Sequence, residues 1–399
     1  MSVEFALMMF PALLFLLFWG FPVAFSLMGV ALIFGVIRFG DAAVALFLSK
    51  VDDVASNYVL GAVPLFIFMG SLLERSGVAD RLFEAIHMWT RRLPGGLAIG
   101  TILLCVVFAA STGIVGATET VVGLLAIPVM LRYAYNKSLI SGTICAGGSL
   151  GTIIPPSVVV VILGPVADAS IGDLFAGMII PGLMLAGSYI IYIIIRCTLV
   201  PTDGPRLPPD ENEPSLGQRL WITATALIPP FLLIAIVLGT ILMGVATPTE
   251  AAACGAVAST IMALAYGGLS VQVFKEALYK TVIITAMILL ILIGGTMFAG
   301  VFTAAGGLIG MQNLVTAAQL TNWETLGILL LIAFAAGFVL DLISLMLIVV
   351  PIAMPIIVKF PFYALDPGQV KIWFSIMFLI MIQTSYLTPP MAPAIFYLR

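Results

Sequence analysis

Long apolar segments follow one another along the whole chain, and they decide what it can fold into. Residues 96–131 carry one charged side chain, Glu119, and residues 138–165 carry none. A helix of about 20 such residues crosses the hydrocarbon core of a bilayer. With 62% hydrophobic and 9% charged residues among 399, the chain has too little polar surface for a water-soluble protein. The alternating pattern of an outer-membrane barrel is absent. The sequence therefore predicts an all-α polytopic membrane protein.

No motif for catalysis or nucleotide use accompanies these segments. A P-loop, a Rossmann fingerprint, a nucleophile elbow and a zinc motif are all missing from suitable contexts. The net charge of −3 offers no basic surface to nucleic acid. We therefore expect neither an enzyme nor a nucleic-acid-binding protein.

The cysteines and the single histidine carry little functional signal. Cys105, Cys145, Cys197 and Cys254 lie within apolar segments without paired metal-ligand spacing, which predicts small core residues. His87 lies in a charged stretch and is predicted to be at the surface. The first apolar segment follows no basic stretch and leads straight into further apolar segments, so it is not predicted to be a cleaved signal peptide.

Two apolar segments, 96–131 and 324–358, are nearly twice as long as one span requires. Each has a polar or Gly-rich interruption midway, which predicts a re-entrant hairpin that enters and leaves the bilayer on one side. Threading the chain with these hairpins and an external amino terminus places the great majority of its Lys and Arg in the cytoplasm, as the positive-inside rule requires. The basic residues left outside are Arg38, Lys50, Lys359 and Lys371.

Several stretches are too polar or too interrupted to cross the bilayer: 38–57, 76–92, 268–280 and 306–320. In the second of these, Leu82, Phe83 and Ile86 lie near one helical face, as in a helix along the membrane interface. Ordinary connecting loops are the alternative. A segment rich in Pro and acidic residues, 200–218, is predicted to be a cytoplasmic linker that divides the chain nearly in half.

The two halves repeat the same features in the same order. FPVAFSLMGVA corresponds to ATPTEAAACGAVA, the hairpin ending in LLAIPVML to one ending in LMLIVVPIAMP, and GGSLGTIIPPSVVVVILG to QTSYLTPPMAPAIFYL. The threading puts the two hairpins on opposite sides, so the halves are predicted to be inverted-topology repeats, as in many secondary transporters. A span at 173–199 follows the first Pro-Pro helix and none follows the second. We expect either a truncated sequence or a last span supplied otherwise.

The proline pairs Pro155–Pro156 and Pro389–Pro390 are predicted to break helices inside the bilayer. A break frees backbone polar groups, and each costs several kcal/mol in hydrocarbon unless protein, water or an ion satisfies it. Carbonyl and hydroxyl oxygens are hard ligands suited to sodium, while the amino termini of half-helices attract anions.

Oxygen-bearing residues near each break and its hairpin are the candidate sodium ligands. The first predicted sodium site comprises Ser111, Thr112, Thr118, Glu119, Ser149, Thr152 and Ser157. The second comprises Gly337, Asp341, Ser344, Thr384, Ser385 and Thr388. Glu250 is a weaker carboxylate candidate. Protons remain an alternative coupling ion through Glu119 or Asp341, and single hydroxyls could instead cap carbonyls or pack against neighbours.

These motifs resemble those of the large membrane subunit of tripartite ATP-independent periplasmic (TRAP) transporters, within the ion transporter superfamily. The resemblance begins near Phe21 and is carried by AVPLFIFMGSLLERSGVADRL, RLPGGLAIGTILLCVVFAASTG, GGSLGTIIPPS, GVATPTEAAACGA and QTSYLTPPMAPAIFYLR. Many members of the family have Ser-Gly-Ser, and a few residues later Asp, in the first hairpin. Here Thr112, Gly113 and Ile114 replace the triplet, Thr118 takes the Asp position, and Glu119 follows.

The resemblance implies an elevator mechanism in the bacterial inner membrane, with a periplasmic amino terminus. The scaffold would be 1–92 and 219–320, and the transport domain 93–199 and 321–399. The resemblance also implies sodium coupling, a small membrane subunit of the Q type and a periplasmic substrate-binding protein. No small subunit is fused at the start of this chain, so a separate polypeptide is expected for it.

The function expected from this resemblance is sodium-driven import of an organic acid, such as a C4-dicarboxylate, a 2-oxo acid or a sialic acid. The anion is expected between the two hairpin tips, on Gly113, Gly116, Thr152, Pro155, Pro156, Thr388, Pro389 and Pro390. One alternative is a carrier of the divalent-anion/sodium symporter type that works alone. Another is a channel or a structural membrane component.

Overall fold

Helices make up most of the computed structural model, which describes residues 3–113, 115–207, 214–389 and 392–398; no β-strand occurs in these ranges. In the first half of the chain the helices are Val3–Leu7, Met9–Phe18, Val23–Phe39, Ala42–Ala55, Tyr58–Gly61 (3₁₀), Ala62–Arg75, Val78–Thr90, Gly96–Thr112, Val115–Arg132, Lys137–Ser149, Leu150–Thr152 (3₁₀), Val158–Ala167 and Ile171–Leu199. In the second half they are Leu216–Leu242, Pro248–Ala265, Val271–Ala304, Gly307–Ala317, Asn322–Ala336, Leu342–Ile357, Pro367–Ile382, Thr384–Leu387 and Pro393–Tyr397. The all-α prediction is confirmed.

Six helical segments in the described ranges are long and apolar enough to cross a membrane: Tyr58–Arg75, Ile171–Leu199, Leu216–Leu242, Pro248–Ala265, Val271–Ala304 and Pro367–Leu387. Shorter apolar helices of 10–17 residues accompany them, including arms of both predicted hairpins. A chain with this many apolar helices is a multi-pass membrane protein.

Each predicted hairpin segment consists of two helices instead of one long span. In the first, Gly96–Thr112 ends at Gly113, whose N–H donates to the Ala109 carbonyl oxygen at 2.8 Å, and the second arm is Val115–Arg132. Gly113 has φ +64°, a left-handed conformation that glycine adopts without steric cost. The second segment has the same division, into Asn322–Ala336 and Leu342–Ile357.

Both proline pairs lie where helices are interrupted. At the first, the helix ends at Ser149, a 3₁₀ turn follows, and a new helix starts at Val158 after a cis Pro155–Pro156 bond. At the second, Thr384–Leu387 is a short separate helix before Pro389. Pro390 lies outside the described residues, as does Ile114 of the first hairpin. We define these two interruptions as the first break and the second break.

Capping boxes start four of the helices, at Ser215, Thr247, Thr321 and Asp366. In each box, the side chain of the cap and the side chain three residues later bond reciprocally to backbone N–H groups. The Glu250 carboxylate accepts the N–H and the hydroxyl of Thr247, both at 2.8 Å. These hydrogen bonds give the Glu250 carboxylate partners at the helix start, and they require no bound ion.

One stretch predicted not to cross, 268–280, is largely the start of the single helix Val271–Ala304. That helix has 34 residues, so at about 1.5 Å per residue it is longer than the hydrocarbon core is thick, and its polar first turns can project beyond the core. The other three stretches form separate helices. In one of these, Val78–Thr90, Leu82 and Ile86 are buried.

One of the expectations about burial is wrong. Cys105, Cys145 and Cys197 are buried, but Cys254 is exposed on an apolar helix, because the outward face of a membrane span is as apolar as its inward face. His87 is half-buried and stacks on Phe83 with ring centroids 5.8 Å apart. Burial and the nearby Arg91 lower the pKa of His87.

The contacts group the chain into two compact units. Unit 1 comprises Met1–Leu60, Ile162–Ser170 and Ile283–Met391, and unit 2 comprises Gly61–Val161, Ile171–Val282 and Ala392–Arg399. In unit 1, Phe10 packs edge-on against Phe298 and Phe302 at 5.6 and 5.3 Å between ring centroids. The core of unit 2 includes the buried Phe66, Phe108 and Phe175. The division into scaffold and transport domains stays a prediction.

Candidate functional site

The tip of the first hairpin contacts the first break within unit 2. Val158 N–H donates to the Gly113 carbonyl oxygen at 3.5 Å. A Cβ added to Gly113 would lie 3.0 Å from the Pro156 carbonyl oxygen and 3.5 Å from Ser157 Cα. The left-handed turn and this close approach both require glycine. Residues that are far apart in the sequence therefore meet at one place, which contains members of the first predicted sodium site.

Glu119, on the second arm of that hairpin, is fully buried. Its side chain lies against Gly148, because a Cβ added there would be 2.0 Å from Glu119 Cγ and 2.9 Å from Oε1. Neither carboxylate oxygen has a hydrogen-bond partner among the described residues. An ionised carboxylate without a partner costs several kcal/mol to bury. Glu119 therefore requires a cation or a proton.

Other members of the first predicted sodium site carry hydroxyl groups and lie in the hairpin helices, the 3₁₀ turn and the first break. Ser157 Oγ is buried and has no hydrogen-bond partner in the described part of the chain. Thr112 Oγ1 and Thr118 Oγ1 lie 3.2 Å apart and share a hydrogen bond. Ser111 donates to the Phe108 carbonyl oxygen at 2.9 Å, and Thr152 donates to that of Ser149 at 2.9 Å. A hydroxyl that donates its proton in this way still presents oxygen lone pairs to a cation.

The tip of the second hairpin contacts the second break within unit 1. A Cβ added to Gly337 would lie 3.1 Å from Ser385 Cβ. Thr384 and Ser385 donate their hydroxyl protons to backbone carbonyl oxygens at 2.7 and 2.6 Å, and Thr388 donates to that of Thr384 at 2.8 Å. The second predicted set thus also combines a hairpin tip with hydroxyls of a broken helix.

Asp341 differs from Glu119 in its hydrogen bonds. It is the N-cap of Leu342–Ile357, and its Oδ2 accepts the N–H groups of Ile343 and Ser344 at 3.1 and 3.2 Å. Its Oδ1 accepts the hydroxyl of Ser344. A capping carboxylate of this kind is stabilised by its own helix. The second carboxylate therefore has partners without an ion, whereas the first has none among the described residues.

The predicted substrate residues are distributed over both units. Pro155 and Pro156 are buried in unit 2, and Gly116 accepts the hydroxyl of Thr120 at 2.8 Å through its carbonyl oxygen. Thr388 and Pro389 belong to unit 1. The substrate assignment stays a prediction.

The sequence reasoning missed a polar cluster at one end of unit 2. Arg196 Nε donates to Asp203 Oδ2 at 2.7 Å, and Asn136 Nδ2 donates to Asp203 Oδ1 at 2.9 Å. Asp203 lies in the segment predicted to be a linker, yet it is buried. The available signal was an arginine at the end of an apolar span with an acidic residue seven positions later.

The model of the family "Tripartite ATP-independent periplasmic transporter, DctM component" matches residues 10–399. The C4-dicarboxylate TRAP transporter large permease protein DctM of Pseudomonas aeruginosa is 32% identical over 364 residues, which are 90% of this chain and 82% of that protein. The sialic acid TRAP transporter large permease protein SiaM of Vibrio cholerae is 30% identical over 384 residues, 96% of this chain and 86% of that protein.

Two further comparisons bear on partners and fold. The isethionate TRAP transporter permease protein DctMQ of Oleidesulfovibrio alaskensis is 30% identical over 397 residues, 94% of this chain and 59% of that protein. The crystal structure of the YdaH transporter of Alcanivorax borkumensis matches with a TM-score of 0.62 and 14% identity, covering 97% of this chain and 90% of that chain. At such low identity the match shows similarity of fold alone.

Proposed function

This chain belongs to the DctM component family of the tripartite ATP-independent periplasmic transporters, and from that premise we propose that it imports an organic acid coupled to sodium by an elevator mechanism. Its relatives are transporter permeases, not enzymes. The multi-pass helical fold agrees with a permease of the bacterial inner membrane.

Sodium coupling rests chiefly on one observation, the buried and unpartnered carboxylate of Glu119 beside the first break. A sodium ion would compensate the charge, and the hydroxyl of Ser157 has no other hydrogen-bond partner among the described residues. Carboxylate, hydroxyl and carbonyl oxygens are the hard ligands that an alkali cation takes. The second site would use the hydroxyls at the second break together with Asp341.

The energetics favour this coupling. Moving one positive charge inward down a membrane potential of 100 mV releases about 2.3 kcal/mol. Two sodium ions per monovalent anion, one for each hairpin and break, carry one net positive charge inward, so the membrane potential drives accumulation without ATP. With a dicarboxylate dianion, two sodium ions only balance the charge, and the sodium gradient itself supplies the driving force.

The substrate class is proposed from the names of the relatives. C4-dicarboxylates, sialic acid and isethionate are all organic acid anions. Amino termini of half-helices attract such anions even where no basic side chain is present. The tripartite family also supports two partners, a small membrane subunit and a periplasmic substrate-binding protein. We propose that both are separate polypeptides.

Reconstitution of all three components into proteoliposomes tests the proposal. Uptake of radiolabelled C4-dicarboxylate and sialic acid should require an inward sodium gradient. Uptake that persists without sodium and follows a proton gradient would contradict the sodium coupling. Uptake by this chain alone would indicate a stand-alone carrier instead.

A pair of variants tests the role of Glu119. Glu119→Gln keeps the shape and removes the charge, so the sodium concentration for half-maximal uptake should rise by about tenfold or more. Glu250→Gln is the matched control, because glutamine also serves as the third residue of a capping box. An unchanged sodium dependence in Glu119→Gln would exclude Glu119 as a ligand.

The elevator and the inverted repeats make a separate topological proposal. The repeats require Arg206 on the cytoplasmic side and Asp366 on the periplasmic side. Single cysteines at these positions, in a background without the native four, should react with a membrane-impermeant thiol reagent from opposite sides. Labelling of both from the same side would contradict inverted hairpins.

A further inference from the structure

A cavity of about 600 Å³ lies in unit 2, and none of the residues that line it belongs to a predicted ion or substrate site. One wall is the helix Lys137–Ser149, which contributes Ser138, Gly142 and Ala146 at intervals of four residues. Residues at this spacing share one helical face. The facing wall is the carboxyl-terminal part of Ile171–Leu199, including Tyr189, Ile193 and Arg196. The cavity is therefore a groove that runs along two helices.

One end of this groove is polar and carries the charges of Arg196 and Asp203. Arg196, Asn136, Ser138 and Asp203 line it there. In the described part of the chain, Asp203 is the one acceptor that holds the Arg196 guanidinium, and the bond uses Nε. The two terminal NH₂ groups of the guanidinium are thus available to a second anion, in the geometry that suits phosphate. Lys137, which is exposed, stands between the lining residues Asn136 and Ser138 in the sequence.

The rest of the groove is mainly apolar. Its walls include Ile102, Leu139 and Ile193, with the rings of Tyr189 and Tyr192 and the side chain of Thr143. From Ser138 to Ala146 the helix rises about 12 Å, which is less than half of the hydrocarbon core of a bilayer, about 30 Å thick. The groove therefore spans a single leaflet. Its polar end lies on the side where the positive-inside rule places the cytoplasm, and the cytoplasmic leaflet carries anionic lipids.

We propose that this groove binds one anionic phospholipid of the cytoplasmic leaflet. The phosphate lies on Arg196, with Asn136 and Ser138 beside it, and one acyl chain lies along Gly142. A soluble anion would match the arginine but would leave the apolar floor without a partner. Basic pockets between membrane helices on this side commonly hold lipid headgroups. A Cβ added to Gly142 would meet no atom within 4 Å, so this position is open to the groove.

Native mass spectrometry of the delipidated full-length chain tests the proposal. With short-chain phosphatidylglycerol, one bound lipid per chain should be retained, and phosphatidylcholine of the same chain length should bind at least about tenfold more weakly. Arg196→Gln should weaken phosphatidylglycerol binding by a similar factor. Arg132→Gln, the loss of an exposed cation at the neighbouring helix end, is the matched control and should have little effect.

A second variant separates lipid binding from loss of the ion pair, since Arg196→Gln also breaks the bond to Asp203. Gly142→Leu fills the groove while it leaves Arg196 and Asp203 untouched, and it should abolish retention. Retention by Gly142→Leu at the wild-type level would overturn the proposal. Equal binding of the two lipids, or displacement of phosphatidylglycerol by equimolar inorganic phosphate, would also overturn it.

Discussion

Replacing Gly148 by alanine should disrupt the contact between Glu119 and the helix that precedes the first break. The new Cβ would lie 2.0 Å from Glu119 Cγ, whereas two carbon atoms in favourable contact are about 3.5–4.0 Å apart. The Glu119 side chain must therefore move by roughly 1.5 Å within a fully buried site. Overpacking of this kind costs about 1–3 kcal/mol of the free energy of unfolding.

Gly142→Ala supplies the reference for this measurement. Gly142 lies on the same helix and has no atom within 4 Å of an added Cβ, so the substitution gives the same gain in helix propensity without overpacking. In denaturant unfolding in detergent, Gly148→Ala should therefore be less stable than Gly142→Ala by about 1–3 kcal/mol. The sodium dependence of uptake should also change in Gly148→Ala alone.

A double-mutant cycle identifies the cause. Glu119→Ala removes Cγ, so Gly148→Ala should cost clearly less in that background, with a coupling energy of about 0.5–3 kcal/mol. Our reasoning is wrong if Gly148→Ala is as stable as Gly142→Ala within about 0.5 kcal/mol, or if the two substitutions at the contact are additive.

Three further predictions follow from single positions. Ser157→Ala removes a hydroxyl that has no hydrogen-bond partner among the described residues. The free energy of unfolding without sodium should therefore stay unchanged, while the apparent sodium affinity of uptake falls. An unchanged sodium affinity would exclude Ser157 as a sodium ligand. Gly113→Ala should lower the free energy of unfolding by roughly 1–2 kcal/mol in denaturant unfolding, because an L residue is strained at φ +64° and the added Cβ would lie 3.0 Å from the Pro156 carbonyl oxygen. The pKa of His87 is lower in the folded protein than in the unfolded chain, so the unfolded chain takes up the proton first as the pH falls. The free energy of unfolding should therefore decrease below about pH 6.5 and become constant below the folded pKa. In His87→Gln it should depend less on pH.

The main architecture could be predicted because the bilayer restricts it strongly. Apolar segments specify helices, and the interruptions within 96–131 and 324–358 divide each into two. Proline pairs and a tip glycine act through local backbone sterics, so Gly113 and Pro155–Pro156 could be recognised from the sequence. The same local reasoning applies to the capping boxes, which are short sequence motifs.

Burial could not be predicted from apolarity in this chain. Cys254 and Cys105 both lie in apolar helices, yet only Cys105 is buried, because lipid and protein core are equally apolar surroundings. Polarity likewise separates 268–280 from the apolar span that follows it, whereas the structure has one continuous helix, Val271–Ala304. Hydropathy indicates that a segment can lie in apolar surroundings. It does not indicate whether lipid or another helix covers each face of the segment.

The sequence by itself determined an all-helical multi-pass membrane protein in which two long apolar segments each divide into two helices and proline pairs interrupt helices, because these features depend on segment length and local backbone restriction. Only the tertiary structure decided that Glu119 lies against Gly148 and lacks a hydrogen-bond partner among the described residues. It likewise decided that Asp203, in a segment predicted to be a linker, holds Arg196 beside a groove. The surroundings of Glu119, and the approach of Asn136 to Asp203, depend on contacts between distant parts of the chain, and no local pattern encodes those contacts.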